Sequence, residues 1–301
     1  MNWNTQPSNG GTMTYNGQYY IHTFTTSGNL TVYHDTDVSY LIVGGGGSGG
    51  QQVSIIGNTI IGYVTGGGGG GGNIIIGSTT IGSGRYNVEI GSGGITGNQL
   101  TGQSGKDSSF NGIIADGGGG GAGVNNSQIS WARVTNPPNY GGGSDLPGSS
   151  RSSGGANSTS GPIVTTRGFQ SKSGNIVYSG GGGLSSVTRS FTDGSGSITG
   201  GGAGGVATVI SSASLNGYNQ TINVAAGGGG AYTSFSNNYN DGRGGIGGTG
   251  GGNGAYSTPD ASGNATVPTT YGSGGGGGCA DAFNKYSQSQ GMDGVVIIIH
   301  K

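Results

Sequence analysis

Apolar and polar positions alternate along this chain in short segments, and none keeps a helical period over enough residues to form an amphipathic helix. Near the start, Tyr20-Ile21-His22-Thr23-Phe24-Thr25 and Asn29-Leu30-Thr31-Val32-Tyr33 read as strands flanking a Ser27-Gly28 turn, a hairpin-like pattern. Tyr40-Leu41-Ile42-Val43 is apolar throughout. So is Val295-Val296-Ile297-Ile298-Ile299, which suits a strand buried on both faces. The terminal strand is expected to pair beside residues 40–43, so that both ends of the chain close one β-layer. Asp-Gly pairs at Asp116, Asp193, Asp241 and Asp293 are turn signals. Residues 280–286 come nearest to a helix, and the pattern there is poor; essentially no α-helix is expected.

Between these ends the apolar pattern is interrupted by glycine. Pure runs of four or more occur at 44–47, 66–72, 117–121, 180–183, 227–230 and 274–278, with near-runs at 141–143, 200–205 and 244–254. Each pure run follows a short strand-like or turn-like lead-in: 39–43, 61–65, 113–116, 175–179, 222–226 and 269–273. This is an internal repeat with uneven spacing.

Ordering a seven-glycine run costs about 1–2 kcal/mol per residue in backbone entropy, so roughly 7–14 kcal/mol in all. A helix interior disfavours glycine by about 1 kcal/mol per residue, and a sheet gains nothing from absent side chains. The polyproline-II conformation turns the absence into an advantage. It has three residues per turn and no internal hydrogen bonds, so every N–H and C=O points outward at a neighbour. Between glycine backbones that approach closely, each N–H···O bond contributes about 1 kcal/mol, and Cα–H···O contacts add about 0.5–1. A helix with neighbours on one side needs glycine at every third residue, and one surrounded on all sides needs it at all three positions. The expected fold is therefore mostly irregular plus β: a polyglycine-II bundle over 44–293, capped by β-structure from 1–43 and by a C-terminal strand within 294–301. A side chain at Gly69, inside a pure run, should prevent folding; Gly254 reads as a loop position where the change matters less. The pure runs are expected to point the same way from one β-layer, with near-runs such as 200–205 carrying the chain back.

Composition narrows the function. Glycine makes up 78 of 301 residues, which by itself suggests a flexible linker. The glycines are clustered and alternate with β-type segments, whereas a linker would spread them. Charged residues are only 7% of the chain and the net charge is −1, so no basic patch can support nucleic-acid binding. A single cysteine, Cys279, allows no intrachain disulfide. Residues 1–18 are polar and lack the apolar core of a secretory leader, and no stretch approaches about 18 apolar residues, so no membrane insertion is expected. A virion component released by lysis would need no such leader.

Few residues suggest chemistry. Gly44-x-Gly46-x-x-Gly49 follows a strand as a dinucleotide fingerprint does, but the residues after it are poor helix formers and no acid lies about 20 residues on. No cofactor is expected. His22, His34 and His300 sit on or beside strands without close metal-ligand spacing, and read as satisfied or exposed rather than as ligands. Cys279 closes a glycine run and reads as a small packed residue rather than a nucleophile. The acids are scattered, so no enzyme is expected. The aromatics carry more information. Trp131, Tyr140, Phe191, Tyr232, Phe235, Tyr239, Phe283 and Tyr286 lie in segments that follow glycine runs. Their plain reading is that they cover the flanks of the bundle or fill small cores. Their functional reading is a binding face, because Tyr and Trp give large contact area at low entropy cost among adaptable Asn, Ser and Gly.

The opening at residues 20–28 that leads to Tyr40-Leu41-Ile42-Val43-Gly44-Gly45-Gly46-Gly47, the segment Ser109-Phe110-Asn111-Gly112-Ile113-Ile114-Ala115-Asp116 before a run, and the closing Gly294-Val295-Val296-Ile297-Ile298-Ile299 resemble the glycine-rich domain of bacteriophage tail-fibre proteins. In style the chain is similar to the tip adhesins of T-even-like phages. The resemblance spans roughly 20–301. It implies a stacked polyglycine-II sandwich whose loops contact a host-surface receptor, a protein or glycan, with a fibre or another virion protein as a further partner. The expectation is a viral surface adhesin, exposed on the virion, that binds without chemistry. The alternatives are a structural virion or filament component assembled through glycine-rich faces and, behind it, an ice-binding protein.

Overall fold

The computed structural model describes residues 7–50, 55–56, 59–60, 64–96, 102–121, 170–173, 176–179, 207–233, 246–257, 262–280 and 285–301. Among the described residues there is no helix; the fold is strands, almost all paired antiparallel, and irregular chain. The pure run at 180–183, the near-runs at 141–143 and 200–205, and residues 244–245 of the near-run 244–254 lie outside the described residues.

Two five-stranded sheets form a sandwich. The inner sheet runs in the order Thr12–Tyr15, Tyr20–Phe24, Val295–His300, Thr36–Val43, Ile74–Ile81. The C-terminal strand does pair with Thr36–Val43, with Val295 opposite Val43 and His300 opposite Val38, and it sits at the centre of this sheet. All six of its residues are buried. The outer sheet runs Ser8–Asn9, Gly28–Val32, Gly84–Glu89, Ser108–Phe110, Ile113–Ala115. Alternation sorts the side chains of the C-terminal strand. Val296 and Ile298 join Phe24, Leu30, Val32, Val88 and Phe110 between the sheets. Val295, Ile297 and Ile299 join Leu41, Ile210, Leu215, Tyr218 and Val224 on the other face. Each such side chain contributes about 1.5–3 kcal/mol on burial.

Residues 20–25 and 29–33 do not form the expected hairpin. Tyr20–Phe24 belongs to the inner sheet and Gly28–Val32 to the outer one. Phe24, Leu30 and Val32 share one core, which requires the two strands to face each other across the sandwich. A true hairpin joins Ser108–Phe110 to Ile113–Ala115 through Asn111 and Gly112, both at positive φ, as a two-residue turn demands. Two of the Asp-Gly turn signals also fail. Asp116-Gly117 and Asp293-Gly294 form no turn; the Asp116 carbonyl accepts from the N–H of Asn73, and Asp293 Oδ1 accepts from that of Gly93. Asp193 and Asp241 lie outside the described residues. The nearest approach to a helix, 280–286, instead contributes to the strands Cys279–Ala280 and Lys285–Tyr286.

Beneath the sandwich, the buried segment 44–50 is the axis of the glycine region. Its N–H groups change partner with each residue and return to the same partner every third. Gly44, Gly47 and Gly50 donate to the carbonyls of Asn73, Gly70 and Gly67; Gly45 and Ser48 to Lys106 and Gln103; Gly46 and Gly49 to Met292 and Ser289. These bonds are 2.8–3.0 Å long. Its carbonyls serve three other segments. Gly45 and Ser48 accept from Gly118 and Gly121, Gly46 from Gly94, and Gly47 and Gly50 from Gly275 and Gly278. Segment 44–50 therefore has six neighbours, and each neighbour also bonds to the next. Gly66 donates to Gly278, Ser289 to Gly276, Gly291 to Gly94, Lys106 to Ser92, Gly102 to Gly121 and Gly70 to Gly119, which closes the ring. A β-ladder, whose bonds alternate between two sides, cannot make this pattern.

Glycine spacing follows position in this array. The ring segments bordered by solvent carry glycine three residues apart: Gly91 and Gly94, Gly102 and Gly105, Gly291 and Gly294. A Cβ on Gly105 would overlap the Gly45 carbonyl, and one on Gly291 the Gly46 carbonyl. The central segment tolerates one exception to all-glycine. Ser48 is buried, and its Oγ accepts a 2.8 Å bond from the N–H of Gln103.

Polarity departs from the expectation of one direction. Bonds to 44–50 step forward along 117–121 and 274–278, so those runs are parallel to it, and they step backward along 66–72, which is antiparallel. Run 227–230 is parallel to 274–278 and so follows the majority. The near-run residues 252–255 are parallel to 274–278 too, through Gly252 to Gly274 and Ala255 to Gly277, and do not return the chain. The reversal of 66–72 has a simple cause: it leads into strand Ile74–Ile81 and must re-enter the sandwich. Gly254 is likewise no loop glycine, since a Cβ there would overlap the Gly230 carbonyl.

A Cβ on Gly69 would overlap the carbonyl of Gly47. Gly69→Ala should cost at least about 3 kcal/mol, the upper end of ordinary overpacking, and Gly69→Val should prevent folding. At Gly84 an added methyl would have its nearest neighbour 3.7 Å away, on Tyr86. Gly84→Ala should move the melting temperature by no more than about 2 °C. Equal melting curves for Gly69→Val and wild type would refute the backbone contact.

Candidate functional site

The runs that leave the sandwich end together at its opposite side. Ala231 donates to the carbonyl of Gly66, Gly66 to that of Gly278, and Ala255 to that of Gly277. Two small sheets form where these segments end. One pairs Cys279–Ala280 with Val64–Thr65 and with Lys285–Tyr286. The other pairs Tyr232–Thr233 with Tyr256–Ser257, in parallel, and the latter with Ser262–Gly263. The two sheets touch, and strand Ile176–Ser179 lies against Val64–Thr65 and Tyr232–Thr233. Two lead-ins, 61–65 and 175–179, therefore have their described strands at this far end rather than in the shared β-layer.

The side chains here are small where backbones converge. Ala231, Ala255 and Cys279 are fully buried together, with Ala265 and Tyr286 packed against them. Cys279 is thus a packed residue, as its place in the sequence suggests. Tyr256 is half-buried, and its ring lies over Gly263, where a Cβ would come within 2.8 Å of the ring. Polar side chains fix the connecting chain. Asn264 Oδ1 accepts from the N–H of Ser287 at 2.9 Å, Asn253 Oδ1 from that of Gly247 at 2.9 Å, and Ser289 Oγ donates to the Thr266 carbonyl at 2.6 Å. The arrangement offers partly exposed tyrosine beside amide and hydroxyl groups on a backbone held from beneath.

Of the eight aromatics singled out in the sequence, Tyr286 is described in full and Tyr232 by its strand. Both stand at this end. Trp131, Tyr140, Phe191, Phe235, Tyr239 and Phe283 lie outside the described residues. Tyr256 belongs with the first two and was missed, although it follows the near-run at 244–254 as the others follow theirs.

The dinucleotide-like Gly44-x-Gly46-x-x-Gly49 is buried and opens no helix, and each N–H group from 44 to 50 is donated to a neighbouring carbonyl. That leaves none to cradle a phosphate.

A second polar cluster lies at the rim of the sandwich. His22 and His300 are buried and stacked, with ring centroids 5.5 Å apart. Ser8, from the outer sheet, places Oγ 2.7 Å from His22 Nε2 and 2.6 Å from His300 Nε2. His22 Nδ1 lies 2.7 Å from the Gly10 carbonyl and His300 Nδ1 2.9 Å from the Lys301 carbonyl. Both Nδ1 atoms thus have a carbonyl partner, whereas the two Nε2 atoms share the one Ser8 hydroxyl; His34 is exposed. The meeting of His22 and His300 was not legible: 278 residues separate them, and only the pairing of the terminal strand brings them together. Burial pushes both rings below the ordinary value of 6.5, against the bonds to Gly10 and Lys301, which raise them; the charge of His300 lowers His22 further. Among the described residues, no group of three or more His, Cys, Asp or Glu gathers anywhere.

A family model described as a glycine-rich domain matches residues 23–301. No curated protein matches the chain.

Because both folded-state values are depressed, the unfolded chain binds protons that the fold does not. The contribution of the pair is therefore present above about pH 6.5 and is lost as pH falls below it. The urea midpoint should be lower at pH 5.5 than at pH 7.5, and the difference should shrink in His22→Gln. A midpoint that rises on acidification would reverse the assignment.

Proposed function

We propose that this chain, which belongs to the glycine-rich domain family, is a surface adhesin of a virus, in particular a bacteriophage. It acts by non-covalent contact, through the end of a polyglycine-II bundle remote from the sandwich. The observation that carries this reading is the three-residue period of the bonds made by 44–50, with six neighbours in a closed ring. Three residues per turn is the period of polyproline-II geometry, at about 3.1 Å per residue. On that reading, residues 66–72 hold the binding end roughly 20 Å from the sandwich.

A rigid bundle reduces the ordering cost of binding, because the segments that make contact start from fixed points. Tyr232, Tyr256 and Tyr286 are the described aromatics at those points, and Trp131, Tyr140, Phe191, Phe235, Tyr239 and Phe283 extend the set in sequence. The partner is a receptor on the host surface, a protein or a glycan, met on the outside of the virion. The sandwich end faces a fibre or another virion protein. Neither nucleic acid nor membrane insertion enters this mechanism, and a net charge of −1 gives nucleic-acid phosphate no excess of positive charge to meet.

Combined alanine substitution at Trp131, Tyr232 and Phe235 should abolish attachment of the purified chain to host cells and leave its thermal transition within about 2 °C of wild type. Undiminished attachment by the folded triple variant would remove the adhesin reading of this end.

A further inference from the structure

We propose that Ser8, His22 and His300 form a binding site for one divalent transition-metal ion of the kind imidazole favours, such as zinc or nickel. The geometry begins with the ring nitrogens that face away from the site. A carbonyl can only accept, so the Nδ1 of each ring must carry hydrogen to bond the carbonyls of Gly10 and Lys301. In a neutral imidazole the other nitrogen then has no hydrogen. The two Nε2 atoms therefore present lone pairs to each other, 3.4 Å apart.

Ser8 sits against both, at 2.7 and 2.6 Å, and its hydroxyl has one hydrogen. That hydrogen serves one Nε2. The other faces an oxygen lone pair inside a closed site, where all three residues are 0–2% exposed. One positive centre is missing from the cluster. A metal ion fits the gap. The circle through the three ligand atoms has a radius of about 1.7 Å, less than a zinc–ligand bond of 2.0–2.1 Å, so a point at bonding distance from all three lies just off their plane. At that point the two nitrogens subtend about 110°, near the tetrahedral angle, while Ser8 Oγ stands at about 80° to each, so the hydroxyl must move outward by a few tenths of an ångström to complete the set. Histidines that bind metals commonly donate their other ring N–H to a carbonyl, and both do so here. Burial pushes both rings below the ordinary imidazole value, which favours the neutral form that a metal requires.

The alternative is an added proton, which would bury an imidazolium. The groups packed on the pair are the ring of Tyr20, stacked on His300 at 5.5 Å, and the apolar side chains between the sheets. The metal would link the two sheets, since Ser8 stands on the outer one and both histidines on the inner.

The full chain, stripped with EDTA and titrated with zinc chloride alone, should take up one ion and melt several degrees higher. His22→Gln and His300→Gln should each weaken uptake by about tenfold or more, while His34→Gln, at an exposed position, should leave it unchanged. If either variant fails to fold, nitrogen NMR of the wild-type imidazoles decides. One equivalent of zinc should shift both Nε2 resonances and leave both Nδ1–H groups in place. No stoichiometric uptake, uptake undiminished in the folded variants, or an Nε2–H that persists with zinc present would overturn the metal site.

Discussion

A carbonyl oxygen occupies the place where a side chain would begin at glycine after glycine in this protein. The overlap recurs at Gly47 against Gly119, Gly69 against Gly47, Gly274 against Gly69 and Gly277 against Gly66. Backbones meet with nothing between them, so N–H groups reach carbonyls on other segments, and segment 44–50 has six neighbours. The conformational cost of fixing glycine is the largest of any residue. It is offset by bonds made in every direction around the segment, which no arrangement with side chains in the way could supply.

Such an array has no apolar side chains of its own to drive collapse, and the sandwich provides them. The central strand of its inner sheet is buried on both faces, and the chain enters and leaves the glycine region through the sheet's strands: Val43 precedes Gly44, Asn73 precedes Ile74, and Gly294 precedes Val295. The sandwich thereby fixes the starting points of the segments, and the array fixes the strand ends in return. The same pairing that centres the terminal strand also places His300 beside His22 and Ser8. The polar cluster at the rim is thus a product of the topology and not of any local motif.

Much of this was legible. The two apolar strands and their pairing followed from Ile42, Val43 and Val295–Ile299 as continuous apolar runs, and the pure glycine runs marked backbone contact. What escaped were features set by tertiary context. Alternation in 20–25 and 29–33 is the same for strands paired side by side and for strands facing across a core, so the corner at Ser27-Gly28 looked like a hairpin. The partners of 44–50 at 102–107 and 287–294 carry Gln, Ser, Lys and Met, and only glycine at Gly102 and Gly105, or Gly291 and Gly294, betrayed them. A search for pairs of glycine three apart would have found them. Ser48 could not have been placed at the axis, because its fit depends on one free amide of Gln103. At the candidate binding end the tyrosines at 232 and 286 were singled out, but Tyr256 was hidden because its room comes from Gly263, seven residues away across a strand pair.

The axis of the array is synthesised well before its last partners, since its ring includes Ser289 and Met292, far along the chain. The ribosome adds about 5–20 residues per second, so residue 50 waits roughly 12–50 s for residue 294 to follow it. Throughout that interval the glycine segments have no complete set of partners, and the inner sheet lacks its central strand. Closure of the array is thus withheld until Val295–His300 has been made, when that strand inserts between its two waiting neighbours and the ring can close around its axis. A nascent chain that stalls before residue 289 would leave the ribosome with neither half assembled.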